Sequence, residues 1–228
     1  MELYEALYTT RAMRRLRKDP VSDDVLARIL DAGIRAPTGG NAQDWRFVAV
    51  RDRDVIEALA PHYQRGLGIL FGGHYKASND AIKQALAEGA ADRRTLQVAR
   101  VLNSTEHLAE HFADVPLLVF GFSQTDQNPG SIWPSLWSMC LAARAEGIGS
   151  TVTTVLSMYA HDESNEILGV PKDKGWIQHA CIPMGYPTGS WGVPDRKPIE
   201  KVVFHNQWGT ALPVASPPRP GVGRRSEM

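Results

Sequence analysis

Cysteine is scarce in this sequence. Only Cys140 and Cys181 occur among the 228 residues, and each lies among apolar neighbours. A disulfide framework or a thiolate metal site needs more cysteines at closer spacing, whereas isolated cysteines in apolar surroundings are typical of buried free thiols. We therefore expect two buried free thiols and a reducing, cytoplasmic location.

Net charge and long apolar runs are also missing. Lysine plus arginine and aspartate plus glutamate number 25 each, so no overall field exists to hold nucleic acid or an anionic membrane surface. The longest strongly apolar run, Val115 to Phe122, is far shorter than the roughly 20 residues of a membrane-spanning helix. The N-terminal segment carries charges throughout, unlike a signal peptide. We expect a protein that is not exported, with no nucleic acid and no membrane among its partners.

The common nucleotide and hydrolase motifs are absent as well. There is no G-x-S-x-G, no P-loop and no G-x-G-x-x-G between a strand and a helix. The segment HLAEH, His107 to His111, has the H-x-x-E-H spacing of inverted zinc peptidases. No further acidic ligand cluster follows it, its flanks are polar, and matches of this length are frequent by chance. We therefore predict an ordinary surface helix there and no metal site.

The spacing of apolar residues predicts helices mixed with a few separated strands. Ser22 is a suitable N-cap for the first strongly periodic helix, and Gly147 ends an almost wholly apolar central one. Helices are predicted at 23–34, 54–63, 106–113, 134–146 and 162–168, and strands at 45–50, 117–122, 150–156 and 178–186. This order favours an α+β sandwich over a regular βαβ alternation.

The chain is expected to form one domain over residues 1–213. Within it, residues 64 to about 105 begin apolar and continue polar and alanine-rich, which indicates a helical excursion or lid. Phe71, His74 and Tyr75 are speculative candidates to line a site under this lid, but ordinary packing of the lid against the core is the favoured explanation. Residues 214–228 are rich in proline, glycine and charge, which is typical of a disordered tail.

The first candidate binding segment is TTRAMRRLRK, Thr9 to Lys18. Guanidinium groups on a rigid segment match the oxygens of an isolated phosphate bidentately. A solvated basic face is the alternative interpretation.

A second candidate is RAPTGGNAQDWRF, Arg35 to Phe47. Gly39 and Gly40 permit close approach of the backbone to a flat ligand, and the amides of Asn41 and Gln43 offer paired donors and acceptors for the edge of a heterocycle. An ordinary turn is the alternative.

Two further segments carry weaker signals. GIGSTVTTVL supplies hydroxyls at Thr153 and Thr154, although threonine is also a common strand residue. GYPTGSWGVPDRKP places Arg196 and Lys197 after a loop bounded by prolines.

Taken together and in this order, the four segments resemble the FMN-dependent nitroreductase family. TRAMRRL followed by DPV is similar to the family's phosphate-binding stretch, Arg-Arg-Ser-x-Arg-x-Phe before Pro-Val, and RAPTGGNAQDWRF is similar to its A-P-S-x-x-N-x-Q-P-W-x-F. GSIWPSLWSMCLAARAEGIGS resembles the central helix of the family, and GYP with DRKPIEKVV closes the pattern. The similarity runs from about residue 3 to residue 205.

This resemblance implies an α+β sandwich with a central, mostly antiparallel sheet flanked by helices, a helical lid and FMN at a homodimer interface. Arg11, with Arg14 or Arg15, would hold the phosphate, and Arg196 would reach phosphate or ring. Pro37 to Asn41 and Gln43 would approach the ribityl chain and ring edge, with Thr153 and Thr154 near the isoalloxazine. The implied cofactor-binding residues are Arg11, Ala12, Arg14, Arg15, Pro37, Thr38, Gly39, Gly40, Asn41, Gln43, Thr153, Thr154 and Arg196.

The chain departs from the family pattern at several positions. Ala12 replaces the usual serine, which removes one hydroxyl contact to phosphate, and Asp44 stands where proline is common. Trp137 and Ser138 occupy positions where the central helix of the family often carries Gln-Asn. These changes leave FMN binding plausible but do not identify a substrate.

The implied activity is transfer of hydride from NADH or NADPH to FMN, followed by reduction of a small organic acceptor such as a nitroaromatic or quinone, with ping-pong kinetics. Such chemistry belongs to the flavin N5 atom and needs no side-chain nucleophile, in agreement with the absence of a catalytic motif. The alternatives are a flavin destructase or reductive dehalogenase of the same fold, or a non-catalytic flavin-binding protein.

Overall fold

The computed structural model describes residues 1–124 and 129–217, which fall into two compact units. The first consists of residues 1–11 together with the described part of Ser190–Met228, and the second of Ala12–Gly189. The smaller unit contains helix α1 (Leu3–Thr9) and a C-terminal segment in which Phe204 pairs with Ala211. The sheet and the other α-helices that the structure describes belong to the larger unit.

The larger unit contains a four-stranded sheet with helices on both faces, which confirms the predicted α+β class. Its elements are α2 (Asp23–Ile34), β1 (Trp45–Val50), α3 (Arg53–Gly72), α4 (Lys76–Ala87), α5 (Arg93–Glu110), β2 (Leu117–Ser123), α6 (Ile132–Ala145), β3 (Gly149–Ser150), α7 (Val155–Tyr159), α8 (His161–Ile167) and β4 (Ile177–Gly185). The strand order is β1-β2-β4-β3, and every pair is antiparallel.

The two faces of the sheet bury different side chains of the same strands, because neighbouring residues of a strand point to opposite sides. Leu117 and Val119 of β2 pack with α2 and α6, whereas Leu118 and Phe120 pack with α3 and α7. Gly121 lets α6 approach the sheet closely, since a Cβ there would lie 2.8 Å from Leu136 Cδ2. The central helix α6 is therefore held firmly against β2.

Local signals predicted the beginnings of several elements correctly. Ser22 caps α2 and its hydroxyl accepts from the Val25 N–H at 3.4 Å. Strand β1 has the predicted bounds, and β2, β4, α6 and α8 differ from their predicted bounds by one or two residues. Cys140 and Cys181 are buried free thiols, as expected. Burial raises the pKa of Cys140 to about 11 and also raises that of Cys181.

Three predicted elements were wrong in extent or type. The helix predicted over 106–113 is only the end of a much longer helix, because α5 begins at Arg93 and ends at Glu110. The helix predicted over 54–63 continues through Pro61 to Gly72, so the first part of the predicted excursion belongs to α3. The strand predicted over 150–156 is limited to Ser150 and an isolated bridge at Thr153, after which the chain forms α7. Val155 is buried there against α3, where Gly66 leaves room for it: a Cβ at Gly66 would lie 2.8 Å from Val155 Cγ1.

The rest of the predicted excursion consists of α4 and α5. The predicted tail begins at Val214, and Ser216 is bonded to Glu200, its hydroxyl donating to Oε2 at 2.6 Å. Residues 218–228 of that tail lie outside the described residues. None of the helices that the structure describes combines the length and apolarity needed to span a bilayer.

Candidate functional site

The predicted phosphate-binding stretch runs along one edge of the sheet. Ala12 forms a parallel bridge with Ser150, and the Met13 N–H donates to the Ser150 carbonyl at 2.9 Å. Met13 is buried, which fixes the segment and turns the neighbouring Arg14 and Arg15 away from it. Arg14 is half-buried and Arg15 is exposed.

Helix α5 holds both of these arginines. The Arg15 Nη2 donates to Asn103 Oδ1 at 2.7 Å, and the Arg14 Nη1 lies 3.4 Å from Ser104 Oγ. Burial lowers the pKa of Arg14, and the nearby Tyr63 hydroxyl partly opposes this shift. A guanidinium remains protonated through such shifts, so Arg14 is a partly desolvated cation.

Tyr63 of α3 completes this group of side chains. It is 1 % exposed, its ring stacks on Phe112 at a centroid distance of 4.2 Å, and its hydroxyl is 3.2 Å from Thr153 Oγ1. Burial raises the pKa of Tyr63 to about 12, so the phenol is neutral at physiological pH. The backbone of Thr153 pairs with Cys181 of β4. These side chains form the arginine cluster, which consists of Arg14, Arg15, Tyr63, Asn103, Ser104 and Thr153.

Thr154, the next residue, is half-buried and its hydroxyl lies 3.3 Å from Met158 Sδ. Its hydroxyl therefore faces α7, whereas that of Thr153 faces Tyr63. Of the two predicted threonines, the structure brings only Thr153 into the described contacts of the arginine cluster.

The second predicted segment forms a strained turn, residues 38–43, called the glycine turn below. Gly40, Asn41 and Gln43 have positive φ angles of 57°, 55° and 51°. Such a conformation costs a non-glycine residue roughly 1–2 kcal/mol. The turn is held from within, since the Gln43 side chain donates to Asn41 Oδ1 at 3.1 Å. Clustered strain of this kind is common at ligand sites.

The glycine turn is open to solvent on the side of its glycines. Among the described residues, a Cβ at Gly39 or at Gly40 would meet nothing within 4 Å beyond its chain neighbours, so packing within this part of the chain does not require the two glycines. The Gly39 N–H donates to Ser131 Oγ at 3.3 Å, which fixes the turn near the start of α6. Pro37, which precedes the turn, is exposed, and Thr38 Oγ1 accepts from the Gln43 N–H at 3.3 Å.

The glycine turn and the arginine cluster attach to opposite edges of the sheet. The turn leads directly into β1, whereas the arginine cluster is anchored at β3 and at the bridge between Thr153 and β4. Three strand spacings separate these edges, which amounts to roughly 14 Å. Two groups of predicted site residues in one chain therefore lie well apart across the sheet.

The other two predicted arginines belong to the smaller unit. Arg11 is exposed, and its Nη1 lies 3.8 Å from the position of a Cβ at Gly192. Arg196 is also exposed and donates to the Asp195 carbonyl at 2.9 Å.

Sequence reasoning missed Tyr63, Asn103, Ser104 and Ser131 as members of these groups. Tyr63 looked like the last residue of a short apolar helix, and Asn103 and Ser104 like ordinary polar residues of a lid. Their partners lie about 90 residues away in the chain, and no local pattern marks such pairs.

Comparison with known proteins identifies a family and a fold. The sequence model of the Nitroreductase family matches residues 7–186 of this chain. The chain is 28 % identical over 204 residues to an NADH dehydrogenase of Thermus thermophilus, covering 85 % of this chain and 91 % of that protein. It is 29 % identical over 197 residues to a 5,6-dimethylbenzimidazole synthase of Rhodospirillum rubrum, covering 81 % and 82 %.

Among solved structures, oxidised iodotyrosine deiodinase bound to FMN and 3-iodo-L-tyrosine superposes with a TM-score of 0.69. It is 19 % identical, and the match covers 90 % of this chain and 99 % of that one. This likeness concerns the fold.

Proposed function

Because the chain belongs to the nitroreductase family, we propose that it is a cytoplasmic, FMN-dependent oxidoreductase that takes hydride from NADH or NADPH. It passes the electrons to a small organic acceptor, such as a nitroaromatic or a quinone, in a ping-pong cycle. The observation that carries this proposal is the half-buried cation Arg14, which interacts electrostatically with Tyr63 within the residues that match the family.

The residues present fit an anionic, planar cofactor. Exposed Arg15 of the larger unit offers a guanidinium group that suits a phosphate, as do Arg11 and Arg196 of the smaller unit. Arg14 is more buried and interacts electrostatically with Tyr63, whose hydroxyl contacts Thr153, so we assign it to the ring, where a cation would stabilise the reduced anion. The open faces of Gly39 and Gly40 leave backbone accessible to a flat ring.

Bound FMN supplies hydride acceptance and electron transfer, so the chain needs no nucleophile of its own. The residues of the chain bind the cofactor, orient it and tune its reduction. Tyr63 keeps its proton near neutral pH and holds the Thr153 hydroxyl, and Asn103 and Ser104 hold the two arginines in place.

We propose a homodimer in which the glycine turn of one chain and the arginine cluster of the other enclose each cofactor. The roughly 14 Å between the two sheet edges supports this arrangement, since one chain alone holds the two groups apart. Trp133 and Trp137, 38 % and 44 % exposed, lie one turn apart on α6 and form an apolar surface suited to a second copy.

The test is the visible spectrum of the purified full-length chain, followed by stopped-flow reduction with NADH and with NADPH. We expect a yellow protein, or one that becomes yellow with FMN, and rapid bleaching by at least one nicotinamide. A chain that remains colourless with added FMN would contradict the proposal.

A second candidate reaction is favoured by two of the similar proteins, a dimethylbenzimidazole synthase and an iodotyrosine deiodinase. In this alternative the flavin is retained, but the reaction is flavin fragmentation or reductive dehalogenation. Aerobic incubation of the reduced, FMN-loaded protein separates the candidates, because fragmentation consumes the flavin itself. Failure to oxidise either nicotinamide with any acceptor, despite bound FMN, would instead indicate a non-catalytic flavin-binding protein.

A further inference from the structure

The last turn of α5 carries three potential metal ligands outside the proposed flavin site. His107, Glu110 and His111 each offer one nitrogen or oxygen, and these atoms lie within 4.8 Å of one another. The two histidines are four residues apart, so they share one face of the helix. Their rings stack with a centroid distance of 4.1 Å and an interplanar angle of 25°.

The hydrogen bonding of His111 prepares it for a metal. Its Nδ1 lies 3.0 Å from the His107 carbonyl oxygen. A carbonyl only accepts, so Nδ1 carries the proton and the lone pair of Nε2 is left for a ligand. Histidines that bind metals commonly donate their other ring N–H to a backbone carbonyl in this way, which fixes the tautomer and the ring orientation.

Both negative and positive charges lie near the three potential ligands and offset one another. The C-terminal end of a helix carries partial negative charge and favours a cation, and Asp114 interacts electrostatically with His111. Lys18 pairs with Asp114 at 2.8 Å, and Arg15 lies near His107 and opposes a bound cation. Asn103, one turn before His107, binds the Arg15 guanidinium at 2.7 Å and so holds this competing charge in a fixed place.

We propose that His107, Glu110 and His111 form a surface site for a divalent transition metal, with Zn²⁺ as the first choice. Two imidazoles and a carboxylate are a donor set that suits zinc and its neighbours, and three protein ligands leave a position for water. Ligand atoms about 2.1 Å from a tetrahedral metal are roughly 3.4 Å apart. The exposed Glu110 closes the remaining gap by side-chain rotation, while His111 keeps its bond to the His107 carbonyl.

This site revises the prediction that HLAEH is only a surface helix. That prediction relied on the absence of further acidic ligands downstream in the sequence. In the structure, Glu110 of the same segment offers an oxygen within 4.8 Å of the ligand atoms of both histidines. The glutamate is therefore a ligand here and not the base of a peptidase.

The test is calorimetric titration of the untagged, full-length chain with ZnCl₂, both with and without FMN. We expect one Zn²⁺ per chain. His107→Ala, His111→Ala and Glu110→Gln should each weaken binding by at least the roughly 10–100-fold that loss of a mere outer-shell partner costs. His74→Ala, which removes an exposed histidine outside the site, serves as the matched control and should bind like the unmodified chain.

A second measurement uses CoCl₂, whose visible absorption intensifies on binding in tetrahedral geometry. The absorption should develop in the unmodified chain and in His74→Ala, and be lost in His107→Ala. Equal Zn²⁺ affinity in the unmodified chain and the three ligand variants, or no saturable uptake at all, would overturn the proposal. Both readouts are independent of flavin binding, so the result stands whether or not the chain binds FMN.

Discussion

Arg14 is the residue on which the proposed chemistry depends most. Arginine on an exposed edge is usually a solvated charge, but this side chain is half-buried, its pKa is lowered by burial, and Ser104 fixes its guanidinium. A cation fixed in a partly desolvated site interacts more strongly with an anion than one in water. The same residue thus combines cofactor binding with tuning of the cofactor.

For Arg14→Gln we predict weaker FMN binding and a lower midpoint potential of the bound flavin. Loss of a charged hydrogen bond costs about 1.5–3 kcal/mol, or roughly 10–100-fold in affinity, and the reduced anion loses its neighbouring cation. Arg17→Gln is the matched control, because Arg17 lies on the same stretch but pairs with Asp19 at 3.4 Å. Fluorescence titration and redox titration check both effects. An unchanged potential would contradict the assignment of Arg14 to the ring.

The raised pKa of Tyr63 leads to a separate prediction about how the free energy of unfolding depends on pH. Its folded pKa of about 12 is raised above the ordinary value of 10.0, so the folded state holds the proton more tightly than the unfolded state. The associated stability is fully present below pH 10 and is lost as the pH rises through about 12. Two pKa units correspond to about 2.7 kcal/mol.

Tyr63→Phe removes this titration. Near neutral pH the variant should be less stable by about 1 kcal/mol because the bond to Thr153 is lost, and the difference should shrink or reverse above pH 10. The buried cysteines titrate in both proteins, so they cancel in the comparison. Urea unfolding from pH 8 to pH 12 provides the measurement. If the unfolding free energies of the two proteins change in parallel with pH, the pKa of the Tyr63 hydroxyl is not perturbed by folding.

The glycine turn is the element whose form is least explained by the chain itself. Its positive φ angles at Asn41 and Gln43 cost free energy, and the glycines face open space. An element that is strained and yet unpacked is best explained by something that binds against it. In the proposed function that ligand is the flavin ring.

Gly39→Leu tests this element. A Cβ at this position meets no atom of the described residues within 4 Å beyond its chain neighbours, and φ is not positive, so unfolding free energy should change by less than about 0.5 kcal/mol. FMN affinity should fall by at least about tenfold, which is about 1.4 kcal/mol, because leucine occupies the ring's place. Gly68→Leu is the control, since it is equally open but on α3. Unaltered FMN affinity in Gly39→Leu would show that the glycine turn is not part of the cofactor site.

How far sequence alone predicts an element depends on whether its cause is local. The α2 cap and the bounds of β1 have local causes, and both were predicted correctly. Val155 and Leu156, the first two residues of α7, were predicted as strand because threonine and valine favour strands, but burial of Val155 beside Gly66 favours the helix. The same limit applies to the candidate site. The arginines and the glycine turn are recognisable from the sequence. Tyr63 and Asn103 belong to the arginine cluster only because of contacts with residues far away in the chain, which the sequence does not reveal.

At the scale of the whole molecule, the sheet order determines what one chain can do alone. With β1 and β3 at opposite edges, the glycine turn and the arginine cluster of a single chain are attached three strand spacings apart, and in the proposed function they belong to different cofactor sites. A second copy that packs on α6 can supply the missing half to each site, which is the closed two-fold arrangement usual for homodimers. A substitution that prevents dimer formation should therefore also prevent cofactor binding.

Trp137→Glu tests that link. Trp137 is 44 % exposed, so the fold of one chain should tolerate the change, whereas a charge in an apolar interface costs several kcal/mol. Sedimentation should show a monomer, and FMN should no longer bind tightly. Leu86→Glu, on α4 with 42 % exposure, should remain dimeric and yellow. A folded Trp137→Glu monomer with unchanged FMN affinity would contradict the shared site.

The most direct test of the shared site is complementation between two defective chains. Arg14→Gln keeps a normal glycine turn, and Gly39→Leu keeps a normal arginine cluster. When the two are mixed and allowed to exchange subunits, half of the dimers are mixed, and each mixed dimer contains one intact site of two. We predict recovery of tight FMN binding to about a quarter of the normal number of sites, measured by flavin retained after gel filtration. No recovery above the separate variants, with subunit exchange demonstrated, would show that each chain builds its site alone.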